Sequence, residues 1–342
     1  MTHPDPRALR LALACPEPPP GPVAVFGPRA GEDLSALGPD LRVVTGFRPD
    51  HDYFSARGHL CETVPTARCA TALVCLPRAR DAARDLVARA AALADGAVLV
   101  DGQKADGIDA LLRACREKTP VSDPLVKAHG KLFRLEDARF ADFADWKAAP
   151  RRLPCGFVTR PGVFSADGPD PGSQLLAAAL PARLPPRVAD LGGGWGWLAS
   201  EVLTREGVER LDLVEADHAA LDCARVNLRD SRVRFHWTDA TRFVPDAPVD
   251  AVVTNPPFHA GRAADPGIGA AFIAAAARML APQGRLWLVA NRQLPYEAPL
   301  RAAFREVEAL PGTGAFKLFA ARGPRAPTTG AQHRRRRQGH PA

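Results

Sequence analysis

Residues 188–196 read Val-Ala-Asp-Leu-Gly-Gly-Gly-Trp-Gly, and this stretch decides the fold class of the chain. A short apolar segment runs into Asp190 and then into Gly192, Gly194 and Gly196, and an apolar run with helical spacing follows. Glycines let the backbone turn tightly and approach a ligand without a Cβ atom in the way. The stretch therefore predicts a strand, a ligand-binding turn and a helix, which together open an α/β sheet.

Strand-like and helix-like segments alternate through the rest of the second half. The predicted strands are Val188–Leu191, Arg210–Val214, Val233–Trp237, Val249–Thr254, Gly284–Ala290 and Phe316–Ala320. The predicted helices are Trp197–Arg205, His218–Leu228, Ala270–Leu280 and Pro299–Glu306. This alternation indicates a parallel, doubly wound sheet whose ligands bind at the carboxyl ends of the strands.

The first half repeats the same rhythm more weakly. Its predicted strands are Pro22–Phe26, Leu41–Thr45, Thr71–Leu76 and Ala97–Val100, and Arg80–Leu93 has the composition of a helix. In both halves a strand, a proline turn, an Ala-rich helix, a glycine and a second strand follow in that order. We therefore predict an internal duplication, with one α/β domain over residues 1–150, a second over 151–322, and a disordered tail over 323–342.

Composition excludes several other classes of protein. The 342 residues suit two domains, and 46% hydrophobic with 24% charged residues is ordinary globular usage. Seven scattered cysteines without a Cys-x-x-Cys pair favour reduced thiols in the cytoplasm, with no zinc site. No apolar run approaches the length of about 20 residues that spans a bilayer, so we expect neither a membrane nor a metal partner.

The positive charge is concentrated at the carboxyl end. The net charge is +7, and the tail after Arg322 contains five arginines, four of them in the run 334–337, and no acidic residue. The body of the chain is therefore nearly neutral. A polyanion partner would be held by a local patch, for which Arg262, Arg292 and Lys317 are candidates, with the arginine run as a salt-sensitive tether.

Acidic residues end three of the predicted strands. Asp190 precedes the glycine turn, where its carboxylate suits a cationic ligand better than a pyrophosphate. Glu215 ends the second strand about 20 residues beyond the glycines, a position from which a carboxylate accepts ribose hydroxyls. Asp239 follows the third strand and could accept a hydrogen bond from an adenine amino group.

The fourth strand ends in Asn255-Pro-Pro-Phe258. Proline fixes the backbone and removes its N–H donor, so that carbonyl groups stay free to accept. The Asn255 side-chain oxygen and the Pro256 carbonyl can accept hydrogen bonds from a planar amino group. Phe258 can stack on the ring that bears this group. The turn therefore predicts chemistry at an amino nitrogen.

Together these motifs resemble class I S-adenosylmethionine-dependent methyltransferases, and within them the bacterial rRNA guanine-N2 methyltransferases of the RsmC type. The resemblance covers residues 155–322 well and the first 150 in outline. It implies that Asp190, Gly192, Gly194 and Gly196 surround the methionine moiety of S-adenosylmethionine, that Glu215 holds its ribose, and that Asp239 holds its adenine. It also implies that Ser173 lies near the cofactor, while Asn255, Pro256 and Phe258 act as catalytic residues on a guanine of ribosomal RNA, most readily 16S rRNA in the small subunit.

The sequence leaves some assignments open. Trp195 departs from the family pattern and is expected to narrow the mouth of the pocket, while Tyr296 and Lys317 are either RNA contacts or structural residues. An adenine-N6 methyltransferase, a glutamine-N5 protein methyltransferase and a non-catalytic RNA-binding assembly factor stay as alternatives. The first half lacks the glycine spacing and the Asn-Pro-Pro-Phe turn, so we expect that domain to bind no cofactor. The modified guanine and the oligomeric state cannot be read from the sequence.

Overall fold

The computed structural model describes residues 5–257, 259–260, 263–264 and 266–325. Within these ranges the chain forms two α/β units, each built on one seven-stranded sheet. Of the residues singled out above, Phe258, Arg262 and the arginine run 334–337 lie outside the described residues. The last strand continues to Pro324, so the second domain extends two residues beyond the boundary expected at 322.

The first unit contains the elements up to residue 146. Its strands are β1 (Val23–Phe26), β2 (Leu41–Val44), β3 (Leu60–Glu62), β4 (Cys69–Cys75), β5 (Ala94–Gln103), β6 (Leu125–Lys127) and β7 (Gly130–Leu135). Its α-helices are α1 (Pro6–Ala14), α2 (Arg48–Ser55), α3 (Arg80–Leu93), α4 (Ile108–Arg116) and α5 (Phe140–Phe143), with 3-10 turns at Ser35–Leu37, Lys104–Asp106 and Ala144–Trp146.

The second unit begins with a short hairpin and a capped helix. Its strands are β8 (Arg151–Arg152), β9 (Val158–Thr159), β10 (Arg187–Leu191), β11 (Arg210–Glu215), β12 (Val233–Trp237), β13 (Val249–Thr254), β14 (His259–Ala260), β15 (Ala263–Ala264), β16 (Leu280–Asn291), β17 (Phe304–Leu310) and β18 (Phe316–Pro324). Its helices are α6 (Pro171–Ala179), α7 (Trp197–Leu203), α8 (His218–Asn227), α9 (Pro266–Met279) and α10 (Glu297–Ala303).

The two large sheets have the same strand order. The first is β3-β2-β1-β4-β5-β7-β6 and the second is β12-β11-β10-β13-β16-β18-β17. Numbered along the chain within each sheet, both orders place the first and fourth strands side by side at the centre, where the order reverses. This shared topology is what an internal duplication of one α/β architecture predicts.

The prediction of a wholly parallel sheet was wrong for the last two strands. In both sheets the strand order ends in antiparallel pairs, β5 with β7 and β7 with β6 in the first, β16 with β18 and β18 with β17 in the second. Only five residues connect β17 to β18. A connection of that length makes a hairpin, whereas a parallel crossover needs a dozen residues or more.

The predicted helix Pro299–Glu306 was also partly wrong, because α10 ends at Ala303 and β17 begins at Phe304. Phe304 is buried in the core beside Leu300, while β17 pairs with β18 along its length. The backbone hydrogen bonds of that pairing replace those of a further helical turn. Tertiary context has overridden local helix propensity here.

Successive residues of the central strands enter cores on opposite faces of the second sheet. Val252 of β13 packs with the helices α9 and α10 on one face, and Val253 packs with α6 and α7 on the other. Both faces are therefore covered, which explains why these strands are continuously apolar. Within the described residues, no helix combines the length and the apolar character needed to cross a membrane.

Candidate active site

Four neighbouring strands present the predicted polar residues at one edge of the second sheet. β12, β11, β10 and β13 are adjacent in that order, and Asp239, Glu215, Asp190 and Asn255 lie at or just beyond their carboxyl ends. Parallel strands end at the same edge of a sheet, so residues 65 positions apart in sequence become neighbours. The strand order reverses between β10 and β13, which is where an α/β sheet opens a ligand crevice.

The glycine turn after β10 requires glycine at its alternate positions. Gly192, Gly194 and Gly196 have φ angles of 73°, 55° and 91°, in the left-handed region that residues with a Cβ atom seldom adopt. Glu215 fastens this turn, because its Oε2 accepts a hydrogen bond of 2.8 Å from the Gly194 N–H. Its Oε1 accepts from the Asp217 N–H at 2.7 Å. Glu215 thus holds two loops of the crevice together.

Asp190 is a buried carboxylate that lacks a compensating partner. It is 0% exposed, and neither side-chain oxygen has a hydrogen bond of good geometry among the described residues. Burial and then the nearby charge of Glu215 raise the pKa of Asp190 to about 8. A buried carboxylate costs free energy unless a cation or donors compensate it, so the crevice is suited to a positively charged ligand.

The other two acids differ from Asp190 in their hydrogen bonding. Burial raises the pKa of Glu215 to about 7, against the opposing effect of its backbone hydrogen bonds. Asp239 is partly buried, and its Oδ1 accepts from the N–H of Thr241 at 2.8 Å and from its hydroxyl at 2.7 Å. These bonds fix the Asp239 side chain at the end of β12.

The side-chain amide of Asn255 is oriented by two residues that lie far away in sequence. Its Nδ2 donates to Asp170 Oδ2 at 2.8 Å and to Ser173 Oγ at 2.9 Å. Asp170 also caps helix α6 by accepting from the Ser173 N–H at 2.9 Å. Both amide hydrogens are therefore used, and among the described residues no donor bonds to Oδ1. Sequence reasoning assigned Ser173 to the cofactor and missed Asp170, whose only signal was its place before Pro171 as a helix cap.

A small cavity of about 40 Å³ lies at this edge of the sheet, and Asp190, Glu215 and Asp239 are not among the residues that line it. The glycine turn and Asn255 line it together with Asp170 and Ser173. Its remaining walls were not predicted from the sequence and are formed by Phe164, Ser165, Trp195, Trp197 and Leu198. Trp195 is only 4% exposed, packs edge-on against Phe157 and donates its indole N–H to the Phe164 carbonyl at 3.0 Å. It therefore supports the wall of the cavity from within the core, while its effect on the width of the pocket mouth stays a prediction.

Comparison with known proteins gives a family match for the second domain. The methyltransferase small domain family matches residues 154–320. Ribosomal RNA small subunit methyltransferase C of Pectobacterium atrosepticum is 36% identical over 178 residues, which cover 52% of this chain and 51% of the relative. The enzyme of that name from Shewanella sp. (strain MR-4) is 29% identical over 73% of this chain and 76% of its own. Residues 154–320 thus match a methyltransferase family, and the chain is similar to RsmC-type methyltransferases.

The extent of the likeness differs between the two domains of this chain. The match spans about half the length of the Pectobacterium relative. The solved structure of Thermus thermophilus 16S rRNA N2 G1207 methyltransferase (RsmC), in complex with AdoMet and guanosine, covers 90% of this chain and 89% of its own at 23% identity, with a TM-score of 0.70. The fold is thus shared over both domains, whereas the sequence likeness is concentrated in the second.

Two residues considered as RNA contacts make contacts within the second domain instead. Tyr296 is 1% exposed, and its ring lies against Gly269 of α9, where an added Cβ atom would approach the hydroxyl to 1.9 Å. Lys317 donates to the Leu294 carbonyl and pairs with Glu297, both at 2.7 Å. Its charge is already compensated, so of the predicted basic patch only Arg292 is described as exposed.

The first domain contacts the loops that carry Glu215 and Asp239. The backbone N–H of Arg48 donates to the Ala216 carbonyl at 2.9 Å, and its guanidinium donates to the Trp237 carbonyl at 3.1 Å. The Arg48 guanidinium also lies 4.9 Å from the centre of the Trp237 ring. The crevice of the second domain is thus braced by the start of α2, a contact that no sequence pattern predicted.

At the carboxyl edge of the first sheet, a buried carboxylate is compensated by two arginines of the same domain. Asp101 of β5 is fully buried and pairs with Arg10 of α1, whose Nε and Nη2 lie 2.5 and 2.9 Å from its two oxygens. Arg7 donates to the same carboxylate at 2.7 Å. In the second domain the comparable edge instead keeps Asp190 uncompensated. That the first domain binds no cofactor stays a prediction, and the arginines from α1 give it a physical reason.

Proposed function

We propose that this protein is an S-adenosylmethionine-dependent methyltransferase that modifies the exocyclic N2 amino group of a guanine in ribosomal RNA, namely 16S rRNA. The observation that carries the proposal is the orientation of Asn255. Asp170 and Ser173 hold its amide at the wall of a small cavity that the glycine turn also lines, and the buried carboxylate of Asp190 lies directly before that turn in β10. The names of the relatives supply the substrate class.

The residues of the crevice fit S-adenosylmethionine. This cofactor supplies, when bound, an electrophilic methyl group on a positively charged sulfur, together with an ammonium group and a ribose. Asp190, buried and without a hydrogen bond of good geometry, would compensate the positive charge of the methionine moiety. The glycine turn would admit it at close range. Glu215 and Asp239 would hold the ribose and the adenine from the ends of β11 and β12.

Asn255 would act on the amino group of the base. Its Oδ1 and the carbonyl of Pro256 can accept the two N–H groups of a planar amine, which turns the nitrogen lone pair out of the ring plane toward the methyl group. The reaction forms an N–C bond, breaks an S–C bond and releases one proton from the amine. Catalysis then rests on positioning and on the exclusion of water rather than on a covalent nucleophile.

The target base must leave its stack to reach this crevice, because the amino group is inaccessible within a paired helix. Phe258 is assigned by the family resemblance to stack on the extruded guanine, and it lies outside the described residues. The alternatives from the sequence share the Asn-Pro-Pro turn, so the substrate must be tested directly. Ribosomal RNA large subunit methyltransferase G of Streptomyces coelicolor is 35% identical over 170 residues. The test must therefore include 23S rRNA.

The test is transfer of labelled methyl from S-adenosylmethionine to a panel of substrates. The panel comprises deproteinised 16S and 23S rRNA, 30S and 50S subunits, duplex DNA and a release factor. We expect label in 16S rRNA or the 30S subunit, recovered as N2-methylguanine after digestion. Label only in release factor, only as N6-methyladenine, or in no substrate would overturn the proposal.

Asn255→Ala tests the assigned role within the same assay. Loss of a group that acts in the transition state costs about 100- to 1,000-fold in turnover, while affinity for the cofactor should change little. Gln283→Ala is the matched control, because Gln283 is an exposed amide on the distant part of β16. Equal turnover of the Asn255 variant and the control would remove Asn255 from the mechanism.

A further inference from the structure

The carboxylate of Asp170 makes two contacts of different kinds from the start of helix α6. Asp170 precedes Pro171, the first residue of α6, and its Oδ2 caps the helix by accepting from the Ser173 N–H at 2.9 Å. The same oxygen accepts from Asn255 Nδ2 at 2.8 Å, although Asn255 lies 85 residues away in the chain. One carboxylate oxygen therefore joins the helix cap to the turn that follows β13.

The residues around this bond fix both of its ends. An added Cβ atom at Gly172 would lie 3.0 Å from Asp170 Oδ2 and 3.0 Å from the Phe316 ring, so the absence of a side chain there leaves room for the carboxylate. At the other end, the Thr254 hydroxyl donates to the Leu191 carbonyl at 2.7 Å. This bond ties the end of β13 to the strand that leads into the glycine turn. The carboxylate and the backbone beside the amide are thus both held in place.

The two acceptors that face the Asn255 amide differ in what they permit. A hydroxyl such as Ser173 Oγ, 2.9 Å from Nδ2, can accept a hydrogen bond or donate one, so it tolerates either orientation of the amide. An ionised carboxylate can only accept. If the amide were turned over, its oxygen would face Asp170 Oδ2 with no hydrogen between the two atoms. Asp170 is therefore the residue that distinguishes the two orientations.

All three side chains lie at the wall of the same cavity. Asp170, Ser173 and Asn255 line the space of about 40 Å³ beside the glycine turn. The acceptors from the start of α6 take both hydrogens of Asn255 Nδ2, and among the described residues no donor bonds to Oδ1. The proposed reaction requires an amide oxygen that accepts from the amino group of the base. This arrangement leaves that atom without a protein donor.

We propose that Asp170 is a positioning residue, which holds the Asn255 amide in the one orientation that offers its oxygen to the amino group of the substrate. The inference rests on the proposed function and deepens it, because it adds a residue that selects between two orientations of a catalytic amide. A turned amide would present N–H donors to an amine whose own hydrogens have to be accepted. Misplacement of a catalytic group can cost about 100-fold in rate.

Two replacements at position 170 separate this role from helix capping. Asparagine and serine both cap helices about as well as aspartate. Asparagine keeps an acceptor oxygen at the same distance along the side chain, so Asp170→Asn can retain both contacts. Serine is one bond shorter, so Asp170→Ser caps α6 without an acceptor at the position of Oδ2. Gln174→Ala is the matched control, because Gln174 is an exposed residue of the same helical turn whose side chain donates to the Pro169 carbonyl.

The first measurement is hydrogen exchange of the Asn255 side chain, which needs neither substrate nor cofactor. The chain contains three asparagines, namely Asn227, Asn255 and Asn291. Selective nitrogen-15 labelling of asparagine therefore gives three side-chain amide groups in an NMR spectrum, and Asn255→Ala identifies the signals of Asn255. Asn227 is an internal reference, because its Nδ2 donates to the Val158 and Trp195 carbonyls at 2.9 and 2.8 Å.

The exchange rates should follow the acceptor at position 170. We expect an Asn255 side-chain N–H to exchange roughly tenfold faster or more in Asp170→Ser, because a hydrogen bond to a charged group is lost, and within about threefold of wild type in Asp170→Asn. The rate at Asn227 should stay the same in both variants. If the thermal melt of Asp170→Ser falls below that of wild type, Asp170→Thr, a second cap without the reach, decides the matter.

Methyl transfer to the RNA that wild type modifies is the second measurement. Asp170→Ser should lower kcat roughly 10- to 100-fold and leave the KM for RNA and the cofactor affinity within about twofold, while Asp170→Asn and Gln174→Ala stay within about threefold of wild type. Combined with Asn255→Ala, Asp170→Ser should cause no further loss. A residue that acts through Asn255 has nothing left to position in that background.

Three outcomes would overturn the inference. They are an unchanged exchange rate at Asn255 in Asp170→Ser, an unchanged kcat in that variant, and a loss that adds in full to the loss in Asn255→Ala, as expected of a structural residue. The proposed function fails separately. If wild type methylates no RNA while the exchange rates change as expected, the function is refuted and the orientation of Asn255 by Asp170 stands. If Asp170→Ser methylates RNA at the wild-type rate, the function stands and the inference is refuted.

Discussion

Replacing Asp190 with asparagine should make the cofactor-free protein less sensitive to rising pH while weakening its affinity for the cofactor. In the folded chain Asp190 ionises near pH 8, compared with an ordinary value of 3.8. Between those values the folded state keeps a proton that the unfolded chain has lost. The stability of the cofactor-free protein therefore falls as pH rises through this window, and the loss is complete above about pH 8.

The size of the change in unfolding free energy follows from the shift in the pKa of Asp190. One pKa unit corresponds to about 1.4 kcal/mol, so the part of the shift expressed between pH 5 and pH 8 amounts to at most about 4 kcal/mol. Asparagine has the same shape and no charge to titrate. The difference in unfolding free energy, variant minus wild type, should therefore increase over this range by up to that amount. At the same time the variant leaves a cofactor cation uncompensated, which should reduce affinity at least about 30-fold.

The assay is urea denaturation at pH 5, 6.5 and 8 without cofactor, together with calorimetric titration of S-adenosylmethionine at pH 8. Asp212→Asn is the matched control, because the contribution of Asp212 to stability depends on pH in the opposite direction. Asp212 is equally buried, but His236 and Arg210 bind it at 2.8 and 2.9 Å. Burial acts to raise its pKa, and these hydrogen bonds outweigh burial so that the pKa is lowered. The contribution of Asp212 to stability is present at neutral pH and disappears only as pH falls through that lowered pKa.

A flat difference between Asp190→Asn and wild type from pH 5 to pH 8 would refute the reasoning, as would undiminished cofactor affinity. Either result would mean that Asp190 is already compensated in the folded chain. It would then be a structural carboxylate, and the crevice would lose its argument for a cationic ligand.

Three further outcomes are expected. Gly269→Ala should lower the unfolding free energy by about 2 kcal/mol or more in urea titrations, because its Cβ would overlap the Tyr296 ring; a stability equal to wild type would show that the ring moves aside freely. Arg48→Ala should lower stability by about 1 kcal/mol and cofactor affinity a few-fold, since it removes the contacts to Trp237; calorimetry showing full affinity would mean that this contact does not support the crevice. Deleting residues 326–342 should weaken RNA binding and reduce its salt slope, because four consecutive arginines are lost; an unchanged slope would exclude the tether.

The sequence by itself determined the unit that carries the chemistry. The glycine turn, the acids after β11 and β12, and the Asn-Pro-Pro turn after β13 are each encoded within a few residues. Such local patterns can be recognised without the rest of the chain, because a tight turn needs glycine and a buried strand needs apolar residues. Helix α3 was likewise predicted with its observed bounds, Arg80–Leu93.

Only the tertiary structure decided how these pieces act on one another. The bond from Asn255 to Asp170 spans 85 residues, and the bond from Arg48 to the Trp237 carbonyl joins the two domains across 189 residues. Such contacts depend on how sheets and helices pack, and neither partner's local sequence signals the other. The same holds for β17, where pairing with β18 turned a helix-forming segment into a strand. Sequence thus specifies the elements and their polar ends, while packing decides which charges are compensated and which, like Asp190, stay open to a ligand.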